Sequence, residues 1–151
     1  TVLDSPQTVQ ARRLGFRALA DGVELGIPFL QGGLVTRRAY VQAHEDTIRR
    51  LVRVIVEAIH YAKTNREAAL KIMQKYLRVQ DREALEDAYE SFVLKQFPRA
   101  PYAVPAAVQI IFDLAGARDP RAKTADPQGF IDMRFVREIE QSGAIDQLYG
   151  R

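Results

Sequence analysis

The sequence predicts a mainly α-helical fold with a small β portion, on three observations. From residue 40 onward, apolar residues recur at helical spacing. Before residue 38, short apolar runs sit between glycines and prolines, the pattern of strands and turns. No segment repeats at the period of about 33 to 47 residues that marks helical arrays, so a helical solenoid is disfavoured.

Each element follows from local chemistry. Val2-Leu3 suits the end of a strand. Ser5-Pro6 reads as a helix start, with Ser5 as N-cap and Pro6 at the first helical position, where its missing N–H costs nothing. That helix is expected to run to Leu14 and stop at Gly15. Phe16-Arg17-Ala18-Leu19 is a strand candidate, Asp21-Gly22 a turn, and Leu34-Val35-Thr36, after Gly32-Gly33, the strongest strand. Ile48, Leu51, Val52, Ile55, Ile59 and Ala62 then keep a 3.6-residue period, with Glu45 and Asp46 at the start and Lys63 at the end complementing the helix dipole. Leu51, Ile55 and Ile59 are expected in the main core.

Thr64 and Glu67 suit a capping box for the next helix, whose expected buried stripe is Ala69, Ile72, Met73 and Tyr76. A helix from near Asp81 is expected to bury Leu85, Ala88, Tyr89 and Phe92 before Pro98-Arg99-Ala100-Pro101 breaks the pattern. The next begins near Pro105 and aligns Val108, Ile111, Phe112 and Ala115. After a polar loop with Pro120 and Pro127, a helix near Met133 to Ser142 carries Phe135, Val136 and Ile139. Gly143 ends it, and Ile145 to Tyr149 suits one more turn.

The chain has 151 residues, 47% of them apolar, enough to form a core as one domain or as part of a larger one. Its apolar runs are far shorter than a membrane span. It has no cysteine, which removes disulfides, thiolate metal sites and cysteine nucleophiles, and suits an oxidising compartment. Its 22 basic and 19 acidic residues are interspersed, without the segregated stripe of a nucleic-acid binder. Thr1-Val2-Leu3-Asp4 lacks the basic and apolar regions of a signal segment, so the chain reads as processed or truncated.

No catalytic or metal-binding constellation emerges. The two histidines, His44 and His60, fit no metal or catalytic spacing, and the plainer reading is packing or surface residues. Glu83, Glu86, Asp87 and Glu90 gather carboxylates that suit acid-base work or, more simply, a solvated face beside Arg82 and Lys95. Arg37, Arg38, Arg49, Arg50 and Arg53 suit an anion grip or an outer face paired with Glu45, Asp46 and Glu57. Gly32-Gly33 lacks the Lys-Ser/Thr of a phosphate loop and reads as a turn or hinge.

The order of segments resembles the C-terminal half of the family that binds nitrate, sulfonates, taurine and thiamine-pyrimidine precursors for ABC importers. The residues carrying the likeness are Val2-Leu3-Asp4-Ser5-Pro6, then Ala11 and Gly15-Phe16-Arg17-Ala18-Leu19 up to Asp21, then Gly33-Leu34-Val35-Thr36-Arg37-Arg38-Ala39-Tyr40. It continues through His44 to Leu51, where Glu45 stands in place of the family's frequent proline. Asp126-Pro127, Phe130-Ile131-Asp132 and Ser142-Gly143-Ala144-Ile145-Asp146-Gln147-Leu148-Tyr149 complete it.

The resemblance implies the C-terminal half of a two-lobe α/β periplasmic-binding-protein fold of type 2. Residues 1–33 would be a remnant of the distal α/β lobe, and 34–151 the crossing strand and C-terminal helical part. It implies a solute-binding component, not an enzyme, that captures a small polar or anionic molecule without a cofactor or metal. Its partner would be an ABC permease in the inner membrane, and its place periplasmic or extracytoplasmic. Strand ends and helix starts, where such proteins hold ligand, fall at Asp4, Ser5, Gln31, Gly32 and Gly33. The simpler account is that Ser5 caps its helix and the glycines turn the chain. Two other readings stand beside this one. One is a helical protein-interaction module. The other is an enzyme of pyrimidine-precursor synthesis that shares the fold and would need a reactive histidine in a cleft.

Overall fold

A computed structural model describes residues 1–30 and 32–150. Helices cover 62% of the chain, and the described residues contain no strand. The expected β portion and the type 2 α/β lobe are therefore corrected: this is an all-helical chain. Val2-Leu3, Phe16 to Leu19 and Leu34 to Thr36 lie in irregular backbone. Their β-branched and apolar residues are compatible with strands, but a strand exists only where neighbouring backbone completes a ladder.

The helices are α1 (Gln7–Arg13), α2 (Arg38–Ala43), α3 (Glu45–Thr64), α4 (Arg66–Leu77), α5 (Arg82–Ala88), α6 (Pro105–Ala115), α7 (Arg134–Gln141) and α8 (Ala144–Leu148). A π-helix, Tyr89–Gln96, continues α5, and 3₁₀ turns occupy Pro120–Thr124 and Pro127–Phe130. The chain divides into two compact units, one of Thr1–Leu25 with Ile55–Arg99, the other of Gly26–Val54 with Ala100–Arg151. Helix α3 contributes its first half to the second unit and its second half to the first.

The core of the first unit is Ala69 and Leu70 of α4, Leu85 of α5, and Tyr89 and Val93 of the π-helix, with Ala62, Met73 and Val79 against it. Helix α1 packs on α5 and buries Val9. Pro6 precedes α1 rather than opening it, and the Ser5 side chain does not cap it. Gly15 follows the helix with φ +83°, a left-handed conformation that glycine adopts without a Cβ clash. At α4, Asn65 takes the N-cap position without a side-chain capping bond, its amide donating instead to the Tyr61 carbonyl at 3.1 Å, and the Thr64 hydroxyl donates back to the His60 carbonyl at 2.8 Å, so the expected capping box does not form. Asp81 does cap α5, accepting from the Glu83 and Ala84 amides at 3.1 and 3.3 Å.

Two expected stripes are rotated. On α3, Val56 and Ile59 are buried and Ile55 is half-buried, but Leu51 is 41% exposed. On α4, Leu70 joins Ala69 inside, while Ile72 and Tyr76 face solvent. The widened turn after Ala88 explains a third difference: about one extra residue per turn brings Val93 inside and leaves Phe92 half-buried.

In the second unit, α6 packs on both 3₁₀ turns and α7 on α8. Asp119 and Asp126 cap the turns by accepting from Arg121 and Gln128 amides, each at 3.0 Å. Phe112 meets Phe130 edge to face, with ring centroids 5.0 Å apart. Phe135, Val136, Ile139 and Ile145 are buried, and Gly143, at φ +74°, separates α7 from α8.

Candidate functional site

The predicted ligand wall starts at Asp4 and Ser5. Ser5 is half-buried beside α1, and its hydroxyl donates to the Asp87 carboxylate on α5. Ser5 and Thr8 hydroxyls share a hydrogen bond of 3.0 Å, Thr8 donates to Asp87 at 3.2 Å, and Arg12 forms an ion pair with it. The Ser5 hydroxyl is thus engaged inside the first unit, joining α1 to α5. Burial pushes the Asp87 carboxyl up, but the bonds from Ser5, Arg12 and Thr8 outweigh it and hold it below the usual aspartate range.

Gly32 and Gly33 belong to the second unit. Both are exposed in irregular backbone, and a Cβ added at either would meet open space. Gly33 does not have a positive φ, so the backbone there does not require glycine. Gln31 lies outside the described residues. The structure places the proposed wall in two separate units and brings Ser5 to Asp87 instead.

The carboxylates of α5 and the π-helix form ion pairs. Asp81 and Glu83 pair with Arg13, Glu86 with Arg82, and Glu90 with Arg66; Arg82 also reaches Glu67 at 2.8 Å. The Arg13 hydrogen bond holds the Asp81 carboxyl below its ordinary range, and the Arg82 bond does the same for Glu67. Each of these carboxylates thus has a guanidinium partner. This face joins α1 and α4 to α5.

Of the basic cluster, Arg49 forms ion pairs within the second unit. Arg49 donates to Glu138 at 2.8 Å and Asp46 at 2.7 Å, and lies over the Phe135 ring. Arg38 donates to the Gly129 carbonyl at 2.8 Å. Arg134, not noticed in the sequence, pairs with Asp132 and Glu45 and covers Phe135 as well. Arg37, Arg50 and Arg53 lie exposed. A shallow hollow lined by residues 42–47 opens at the start of α3, where Glu45 and Asp46 are paired with Arg134 and Arg49. His44 there is exposed and meets the Tyr40 ring in a tilted contact, centroids 4.4 Å apart, and His60 is half-buried on α3. Among the described residues no group of three His, Asp or Glu side chains is placed to hold a metal.

Sequence reasoning missed the contact of Lys63 with the π-helix. The Lys63 ammonium donates to the Val93 carbonyl at 2.6 Å, and burial holds its pKa below the ordinary lysine value. The only local signal was a basic residue in the last turn of α3, which pointed to a dipole effect and not to a partner 30 positions away.

Comparison with protein-family profiles, curated proteins and solved structures finds no match for this chain. Among the described residues, no helix is long and apolar enough to cross a membrane.

Proposed function

We propose that the chain acts by binding, as the solute-binding component of an ABC importer that captures a small polar or anionic molecule. The observation that carries this reading is the ordered likeness running from Val2-Leu3-Asp4-Ser5-Pro6 to the Ser142-to-Tyr149 ending, across nearly the whole chain. The reading places the protein outside the cytoplasm, beside a permease in the inner membrane. Within it, Gly32 and Gly33 are the favoured ligand contacts, because their backbone is exposed and lateral space is open. The Ser5 hydroxyl has a structural role at Asp87.

The test is titration calorimetry of the protein against sulfonates, carboxylates and pyrimidines. Saturable heat with one class is expected. Gly33→Val is expected to weaken that binding at least about tenfold, with the melting temperature unchanged. Absence of heat across the panel overturns the reading.

A second reading, a helical protein-interaction module, is favoured by the exposure of Leu14, Phe16 and Leu19 in the first unit. Here Phe16→Ser would abolish capture of a protein partner that the wild-type chain retains. Solute binding unaffected by Phe16→Ser, with no partner retained, excludes this alternative.

A further inference from the structure

Two sets of charge contacts tie α5 and the π-helix to their neighbours. Toward α1, Asp87 pairs with Arg12 and accepts from the Ser5 and Thr8 hydroxyls, while Arg13 pairs with both Asp81 and Glu83. Toward α4, Arg82 pairs with Glu67, and Glu90 pairs with Arg66. The two neighbours differ in their apolar backing. Helix α4 gives Ala69 and Leu70 to the first-unit core, beside Leu85, Tyr89 and Val93. No residue of α1 belongs to that core, and Val9 is the one buried side chain of the helix.

The backbone that follows adds little anchoring, because every residue from Arg12 to Leu25 is exposed. The Arg12 and Arg13 side chains are 58% and 50% exposed, so dissolved ions reach their ion pairs. Exposed pairs are individually weak and screened by salt. A helix of seven residues does not persist alone in water, so α1 stays formed only while it lies on α5.

We propose that α1 is a strap held on α5 chiefly by charge, which salt releases while the rest of the first unit stays folded. Release turns Val9 to solvent and leaves Asp81, Glu83 and Asp87 without their guanidinium partners. The open first unit thus presents an acidic face that the closed one neutralises. Opening is local, because the core contains nothing from α1.

The chain has no cysteine, so Val9→Cys places a single thiol under the strap. The test is its rate of labelling by iodoacetamide in the whole chain, relative to the unfolded chain, at about 10 mM and about 1 M NaCl. Ala69→Cys, in the core on α4, is the control, because α4 loses the same kind of ion pair but keeps its apolar backing. Labelling of Val9→Cys should rise at least about tenfold with salt, and that of Ala69→Cys less than about twofold. Arg12→Gln/Arg13→Gln added to Val9→Cys should label fast at both salt concentrations. An unchanged rate at position 9, an equal rise at position 69, or slow labelling after loss of both arginines overturns the proposal. Where Val9→Cys loosens α1 by itself, Ala11→Cys at a half-buried position of the same helix is read by the same criteria.

Discussion

Asp87 gathers donors from Ser5, Thr8 and Arg12 on one partly buried carboxylate, so its charge ties α1 to α5. Its folded pKa lies below its unfolded value of about 3.9. A depressed carboxylate adds stability above the unfolded pKa, and this contribution is lost as pH falls through the folded pKa. The stability difference between wild type and Asp87→Asn, from urea unfolding, should therefore be steady near neutral pH and shrink below about pH 4. A difference independent of pH would show that hydrogen-bond geometry, not charge, carries the contact. A second residue-scale contrast concerns the core. Leu70 is 1% exposed in the first-unit core, so Leu70→Ala should destabilise by about 2–5 kcal/mol. Leu51→Ala, at an exposed position, should stay within about 0.5 kcal/mol. Equal shifts in the urea midpoint would show that α3 buries the face containing Leu51.

At the scale of elements, some helix ends were legible, while the Ser5 cap of α1 and the Thr64–Glu67 capping box do not form. Asp81 accepts amides at the start of α5, Pro105 opens α6, and Gly15 and Gly143 adopt the left-handed conformation where helices stop. Gly143→Ala should therefore cost about 1–2 kcal/mol although its Cβ meets open space, because the strain lies in the backbone. Gly33→Ala, with neither constraint, should change the melting temperature very little. Signals requiring a distant partner were not legible. The Leu34-Val35-Thr36 run has strand chemistry, but no local feature reveals whether a neighbouring backbone completes it. The change of pitch after Ala88 brings Val93 into the first-unit core, so an α-helical stripe extended to Phe92 missed it. The candidate site was readable to a similar depth: Ser5 as a polar group beside a helix start was evident, but its partner lies 82 positions away on α5.

At the scale of the whole molecule, the main departure from ordinary domain construction is the apolar surface before α2. In the first unit Leu14, Phe16 and Leu19 are exposed, Leu19 at 88%; in the second, Leu34 and Val35 are exposed, Val35 at 94%. Scattered exposed apolar residues are normal on folded proteins, but here they recur along irregular backbone. Irregular backbone with few buried contacts opens readily, so these side chains are available to any apolar surface. Their removal should therefore affect association without affecting folding. Leu19→Ser and Val35→Ser should each leave the urea midpoint within the range of about 0.5 kcal/mol typical of surface sites. Together they should lower both the fluorescence of a bound hydrophobic dye and the concentration dependence of light scattering. A lowered midpoint would show that these side chains are packed in solution, and unchanged dye binding would place the accessible apolar surface elsewhere, at the Ile72 and Tyr76 face of α4.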